Sequence, residues 1–172
     1  MFGNTCQIQK FTIEASTTCL SIAFFRVNLA RQAGNRRALL QAPNYYNGIS
    51  VGIDFTARDI QNQLKEKGLP WEKAKSFDNS AAVGTFVDIT PALNIKNINF
   101  SFAKNKEVVQ KANSGSMIFS INQIIANISN YFSLNIGDLI FTGTPAGVGE
   151  CMVGDIMEAY LEKDCLLTLE IK

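Results

Sequence analysis

The sequence predicts a β-rich α+β fold with about two helices, and three observations carry that prediction. Short apolar or β-branched runs bounded by turn residues recur along the chain, among them "FVDI", "INFSFAKNKEVVQKA", "DLIFTG" and "DIMEAYLEKDCLLTLEIK". Only two segments keep apolar residues at helical spacing over any length. The 172 residues are 47% hydrophobic and 18% charged, enough for one sizeable core and too few for two.

Residues 1–43 follow these patterns poorly and form an atypical N-terminal segment: "FTIEASTTCLSIAFFRV" has β-propensity, and "NLARQAGNRRALLQAP" has a helix-like ending without a clean apolar face. A patterned domain runs from residue 44 to 172. It opens with a strand from Ile49 to Phe55, then a helix from about Thr56 to Lys67. Thr56 is placed as N-cap, with Asp59 in the acidic slot of a capping box, and Gly68 and Pro70 end the helix. "FVDI" follows as a strand, and "INFSFAKNKEVVQKA" folds as a hairpin turning near Lys104 to Lys106. A second helix carries Ile121, Ile124, Ile125, Ile128 and Phe132 at helical spacing behind a Ser120 cap. After the "DLIFTG" strand, a last hairpin pairs Tyr160–Glu162 with Leu166–Ile171, turning at Lys163 and Asp164.

Charge and composition remove whole classes of function. The net charge of +1 argues against nucleic acid or an anionic membrane as partner. Basic residues cluster early, with Lys10, Arg26, Arg31, Arg36 and Arg37 against the single acid Glu14 before Asp54. The longest early apolar run, Cys19–Phe25, is too short to span a membrane, and Arg26 follows it, against the order of a signal peptide. Cys6, Cys19, Cys151 and Cys165 lack metal-ligand spacing, so a cytoplasmic protein with reduced thiols is expected. There is no histidine, which excludes Ser-His-Asp and Cys-His catalysis and any histidine-containing metal site.

Chemistry then has few places to reside. "GDLIFTGTPAGVG", Gly137 to Gly149, matches neither a Walker A loop nor a dinucleotide fingerprint. Its backbone amides, with the hydroxyls of Thr142 and Thr144, suit a small carboxylate or ketone oxygen; a plain hairpin or bulge turn fits equally well. Asp54 ends an apolar strand, where a carboxylate needs a cation, hydrogen bonds or a metal. Arg58, at helical distance, is the simple ion-pair partner. Lys75 is either a second cation for such a site or a solvated surface lysine.

Four stretches in register, "GIDFTARDIQ", "KEKGLPWEKAKSFD", "SGSMIFS" and "GDLIFTGTPAGVG", resemble the fumarylacetoacetate hydrolase family, and most closely its small acylpyruvate hydrolases. The resemblance spans about Tyr45 to Lys172. It implies a mixed β-sheet roll of the family's C-terminal-domain type, a homodimer, and Mg²⁺ or Mn²⁺ as cofactor. By that resemblance Asp54 ligates the metal, Lys75 neutralises the oxalyl end of the substrate and Gln61 lies near the developing oxyanion. Gly143 and Thr144 grip the substrate carboxylate, and Arg58 supports the site. The implied reaction is hydrolysis of the carbon–carbon bond of an acylpyruvate, a 2,4-diketo acid. Oxaloacetate decarboxylation is the alternative, and isomerisation of longer 2-keto diacids ranks lower because it needs proton transfer.

The family pattern also has a histidine and a Glu-x-Glu pair upstream of the aspartate, and this chain has neither. Two expectations follow: either the first forty or so residues are a displaced reading of the usual N-terminal half, or the chain is a shortened member that has lost hydrolysis. In the second case it acts as a binding or dimerisation module.

Overall fold

In the computed structural model the described residues are 8–11, 24–27 and 42–172. Cys6, Glu14, Cys19 and most of the helix-like ending expected over residues 28–43 lie outside them. Eleven strands and three α-helices follow in chain order: β1 (Ile8–Phe11), β2 (Phe24–Val27), β3 (Tyr46–Ser50), β4 (Gly52–Asp54), α1 (Arg58–Glu66), α2 (Glu72–Lys75), β5 (Ala81–Val83), β6 (Val87–Asp88), β7 (Asn99–Lys104), β8 (Glu107–Asn113), α3 (Ile121–Ile128), β9 (Leu139–Phe141), β10 (Ile156–Leu161) and β11 (Asp164–Ile171). The expected β-rich α+β class holds, with α2 as a helix the sequence did not suggest.

Five strands form one sheet in the order β1-β11-β10-β7-β8, in which β1 runs parallel to β11 and the other pairs are antiparallel. Four more form a sheet ordered β6-β3-β2-β9, and β4 pairs with β5. Side chains of Ile49, Ile53, Phe55, Ile98, Met157, Leu167 and Leu169 are fully buried in one cluster, so the core draws on all three sheets. No helix among the described residues is long and apolar enough to cross a membrane.

Two hairpins form where alternation placed them. The β7–β8 turn uses Asn105 and Lys106, both at positive φ (52° and 71°), the two-residue geometry that matches strand twist. The β10–β11 turn sits one residue earlier than expected, at Glu162 and Lys163, because Glu162 takes φ 53° while Leu161 pairs with Asp164.

Three local expectations are corrected. The strand from Ile49 to Phe55 breaks at Val51, whose carbonyl turns aside to accept from Gly84 N at 2.9 Å; β3 and β4 consequently join different sheets. The first helix starts at Arg58 behind Ala57, with no side-chain cap, since the Thr56 hydroxyl is engaged elsewhere. Its other end is as expected: Gly68 at φ 61° donates to Lys65 O, and Leu69 to Leu64 O, closing the helix in a Schellman motif. The second predicted helix keeps its Ser120 cap, reciprocated by Gln123 in a capping box, but stops at Ile128, leaving Phe132 67% exposed beyond it.

Asp155, at the entry to β10, is the buried acid that ties the β7–β8 turn to the strand's start. Its carboxylate accepts from Met152 N and Asn105 Nδ2, each at 2.8 Å, with Lys104 Nζ at 3.6 Å. Burial pulls its pKa upward, and the Met152 and Asn105 hydrogen bonds and the Lys104 charge more than offset this, leaving it below 3.8. A folded pKa lowered in this way gives stability that is fully present above the unfolded value and is lost as pH falls through the folded one. Asp155→Asn is expected to lower the melting temperature at pH 7 and to flatten the loss of stability below about pH 4, measured by thermal melts across acidic pH. An unchanged acid limb would refute the assignment.

Candidate active site

β3 and β9 flank β2 and run toward the same end of their sheet, because Ser50 and Phe141 both sit opposite Phe24. Strands two apart lie roughly 10 Å from each other. Chain leaving β3 reaches Asp54 within four residues, and chain leaving β9 reaches Thr144 within three. The fold thus delivers the aspartate and the glycine loop from one end of one sheet.

Asp54 ends β4 and Lys75 ends α2. The short α2 brings Lys75 back toward β4: Ala74 is buried, and its carbonyl accepts from Ala57 N at 3.0 Å. Lys75 Nζ then donates to Asp54 Oδ2 at 2.8 Å and to Thr56 Oγ1 at 2.6 Å. Asp54 and Lys75 keep 27% and 30% of their side-chain surface, whereas Thr56 is fully buried. An ammonium has three N–H donors, so the two bonds fix its position and leave a third donor. An ion pair this open to water adds only about 0–1 kcal/mol to stability. Its value is that it aims a positive charge.

Lys75 is thus bonded to the Asp54 carboxylate and is no solvated surface lysine. Arg58 Nη1 donates to Gln61 Oε1 at 2.6 Å across one turn of α1. Gln61 is 8% exposed, and with its oxygen engaged its amide hydrogens are what it can offer.

Gly143 and Thr144 lie elsewhere along that end of the sheet. With Thr142 and Pro145 they line one side of a cavity of about 400 Å³ whose other wall includes Phe100, Met117 and Phe119. Asp54, Arg58, Gln61 and Lys75 are not part of that lining. Gly143 sits at φ 111°, a left-handed conformation that only glycine takes without strain. Thr144 Oγ1 accepts from Gln110 Nε2 at 3.2 Å. Hydrogen bonds thus link Asp54 with Lys75 and Arg58 with Gln61, while Gly143 and Thr144 line the cavity.

Thr56 and Gln110 were not singled out by sequence. Thr56 occupied a slot that local rules assign to a helix cap. Gln110 carried one signal, a polar residue on a strand whose next inward neighbour, Ala112, packs against the core.

Donor chemistry can be tested against a divalent ion. Among the described residues no three His, Cys, Asp or Glu side chains gather, and the one carboxylate at the site is bonded to an ammonium. Those residues do not by themselves make a Mg²⁺ or Mn²⁺ site, which takes about six oxygen ligands.

The family model described as fumarylacetoacetate (FAA) hydrolase C-terminal matches residues 27–171. The chain belongs to the fumarylacetoacetate hydrolase family. Among curated members, the mitochondrial oxaloacetate tautomerase oaa1 of Schizosaccharomyces pombe is 44% identical over 111 residues, 64% of this chain and 50% of that protein. The mitochondrial oxaloacetate tautomerase of Bos taurus is 40% identical over 136 residues, covering 77% and 62%. This family member thus spans about half to three fifths of the length of such relatives. Among solved structures, the fumarylpyruvate hydrolase of Pseudomonas aeruginosa in complex with Mn²⁺ and pyruvate superposes with a TM-score of 0.85 at 27% identity, over 98% of this chain and 71% of that one.

Proposed function

We propose that this chain binds a small 2-keto diacid of the oxaloacetate class and holds its enolate, so that the keto and enol forms interconvert. The observation that carries this reading is the Lys75 ammonium, fixed by Asp54 and Thr56 with one N–H left over. Enolisation takes a proton from C3 and leaves negative charge on the C2 oxygen, and returning the proton to that oxygen gives the enol with no atom gained or lost. A fixed cation beside that oxygen stabilises the full charge of the enolate more than the neutral carbonyl, which is what catalysis requires. Gly143 and Thr144 take the carboxylate next to the keto group, Gln61 offers an amide N–H to the same oxyanion, and Arg58 steadies Gln61.

Sequence alone ranked acylpyruvate hydrolysis first, with oxaloacetate decarboxylation as the alternative and isomerisation lower because it needs proton transfer. The oxaloacetate tautomerases named above shift the balance toward oxaloacetate. The fumarylpyruvate hydrolase likeness favours a second reading at the same site, since carbon–carbon cleavage of an acylpyruvate also releases a pyruvate enolate.

The test supplies oxaloacetate as its enol and follows ketonisation by ultraviolet absorbance, with acetylpyruvate hydrolysis in parallel, each with and without Mg²⁺ or Mn²⁺. The chain is expected to accelerate ketonisation, and Asp54→Ala, which frees Lys75 from one of its two anchors, to slow it about 10²-fold. A rate equal to that of buffer under every condition sinks the proposal. Faster turnover of acetylpyruvate than of oxaloacetate transfers the assignment to the hydrolase reading.

A further inference from the structure

Gln110 lies on β8, 2% exposed, and its amide faces the glycine loop. One nitrogen, Nε2, donates to Pro145 O at 3.0 Å, Thr144 Oγ1 at 3.2 Å and Ala146 O at 3.3 Å, reaching three consecutive residues. Two of these partners are carbonyl oxygens, which only accept, so the NH₂ end must point at the loop. The cost appears at the other end: Oε1 is buried without a hydrogen-bond partner. An orphaned buried carbonyl costs about 1–3 kcal/mol. An apolar side chain of that size would fill the space without it, so the amide is kept for what its nitrogen does.

A second contact seats the loop on the same two residues of β8. Gly147, at φ 103°, lies so close that a Cβ there would fall 2.3 Å from Val109 O and 2.9 Å from Gln110 Cγ. The loop backbone is pressed onto Val109 by the missing side chain and tied to Gln110 by the amide.

We propose that Gln110 is a positioning residue that latches the loop and presents Thr144 to the substrate carboxylate. This rests on the role given to Thr144 above. The Gln110 N–H occupies a lone pair of Thr144 Oγ1, so the hydroxyl's own hydrogen is the part left to give. Among the described residues it reaches only Pro145 O at 3.4 Å, long for such a bond. A carboxylate in the adjoining cavity is the better acceptor.

The experiment measures hydrogen exchange over residues 142–149 and pyruvate affinity by calorimetry in the presence of Mn²⁺, in the full chain and in Gln110→Met, Thr144→Val and the double variant. Gln110→Met is expected to raise exchange over 142–149 about tenfold, with residues 99–104 unaffected, and to weaken pyruvate about tenfold. The double variant should bind no more weakly than Thr144→Val, because both changes remove one interaction. Gln110→Glu gives a further readout and serves where Gln110→Met does not fold. Its carboxyl must be protonated to donate, so affinity should recover as pH is lowered. Unchanged loop exchange overturns the latch. Faster exchange with unchanged affinity, or additive losses in the double variant, overturns positioning. If Thr144→Val alone leaves affinity unchanged, the reading of Thr144 fails, and positioning with it, while the exchange data separately decide the latch.

Discussion

If the chain turns over oxaloacetate as proposed, Lys75→Met is expected to lower that turnover by about 10²- to 10³-fold, the range found when a fixed charge-stabilising donor is removed from an active site. Methionine keeps the length and apolar stem of lysine, so the packing of α2 around buried Ala74 survives. Only the ammonium disappears, and with it both the donor that the proposed function assigns to the substrate and the bonds to Asp54 Oδ2 and Thr56 Oγ1. Stability should change little, because the lost ion pair is about a quarter to a third open to solvent and such pairs contribute at most about 1 kcal/mol. The two readouts therefore separate: turnover collapses while the melting temperature stays within a few degrees. Lys75→Arg should restore little, since a planar guanidinium cannot place one N–H where a tetrahedral ammonium puts it while meeting both anchors. Turnover in Lys75→Met above a tenth of the parent rate would show that the developing charge is held by something else.

What the sequence showed and what it hid divide along chain distance. Ser120 and the apolar spacing of Ile121, Ile124, Ile125 and Ile128 act within one helix, so that helix was readable; the β7–β8 hairpin likewise rests on local alternation and turn chemistry. Val51 broke its strand because Gly84, thirty-three residues on, takes its carbonyl, and no local propensity encodes that. Thr56 obeyed the local rule for a helix cap and lost it to Lys75, nineteen residues away, whose charge makes the stronger hydrogen bond. Asp54, Lys75 and the Gly143–Thr144 loop were marked by their local setting and by motif resemblance, and Gln61 by resemblance alone, but neither kind of marking joined Lys75 to Asp54 and Thr56. Nor do they fix the reaction: an acylpyruvate and oxaloacetate share the 2-keto acid end these residues would meet and differ in the tail.

Gly84→Ala is expected to be among the most damaging single-methyl changes in the molecule, because Gly84 is where the sheets are stitched together. Its N donates to Val51 O at 2.9 Å, the next residue donates from Thr85 N to Leu166 O at 2.8 Å, and Thr85 O accepts from Ser50 Oγ at 2.9 Å. A Cβ at Gly84 would stand 2.7 Å from Leu166 O and 3.0 Å from both Leu166 C and Val51 O. All three neighbours are backbone atoms, so no rotamer change relieves the overlap; β11 and the β3–β4 junction must move apart. Overpacking of this kind costs about 1–3 kcal/mol. For a chain of this size that is a fall of about 2–12 °C in melting temperature. The damage should also reach the site, since the displaced Val51 leads directly into β4 and Asp54, and a shift near 1 Å at a positioned group can cost about 10²-fold in rate. Gly149→Ala supplies the contrast: nothing lies within 4 Å of its added Cβ, so its melting temperature should match the parent. If Gly84→Ala melts with the parent too, the sheets are not in contact through this residue, and the path from the β3–β4 break to Asp54 must be drawn differently.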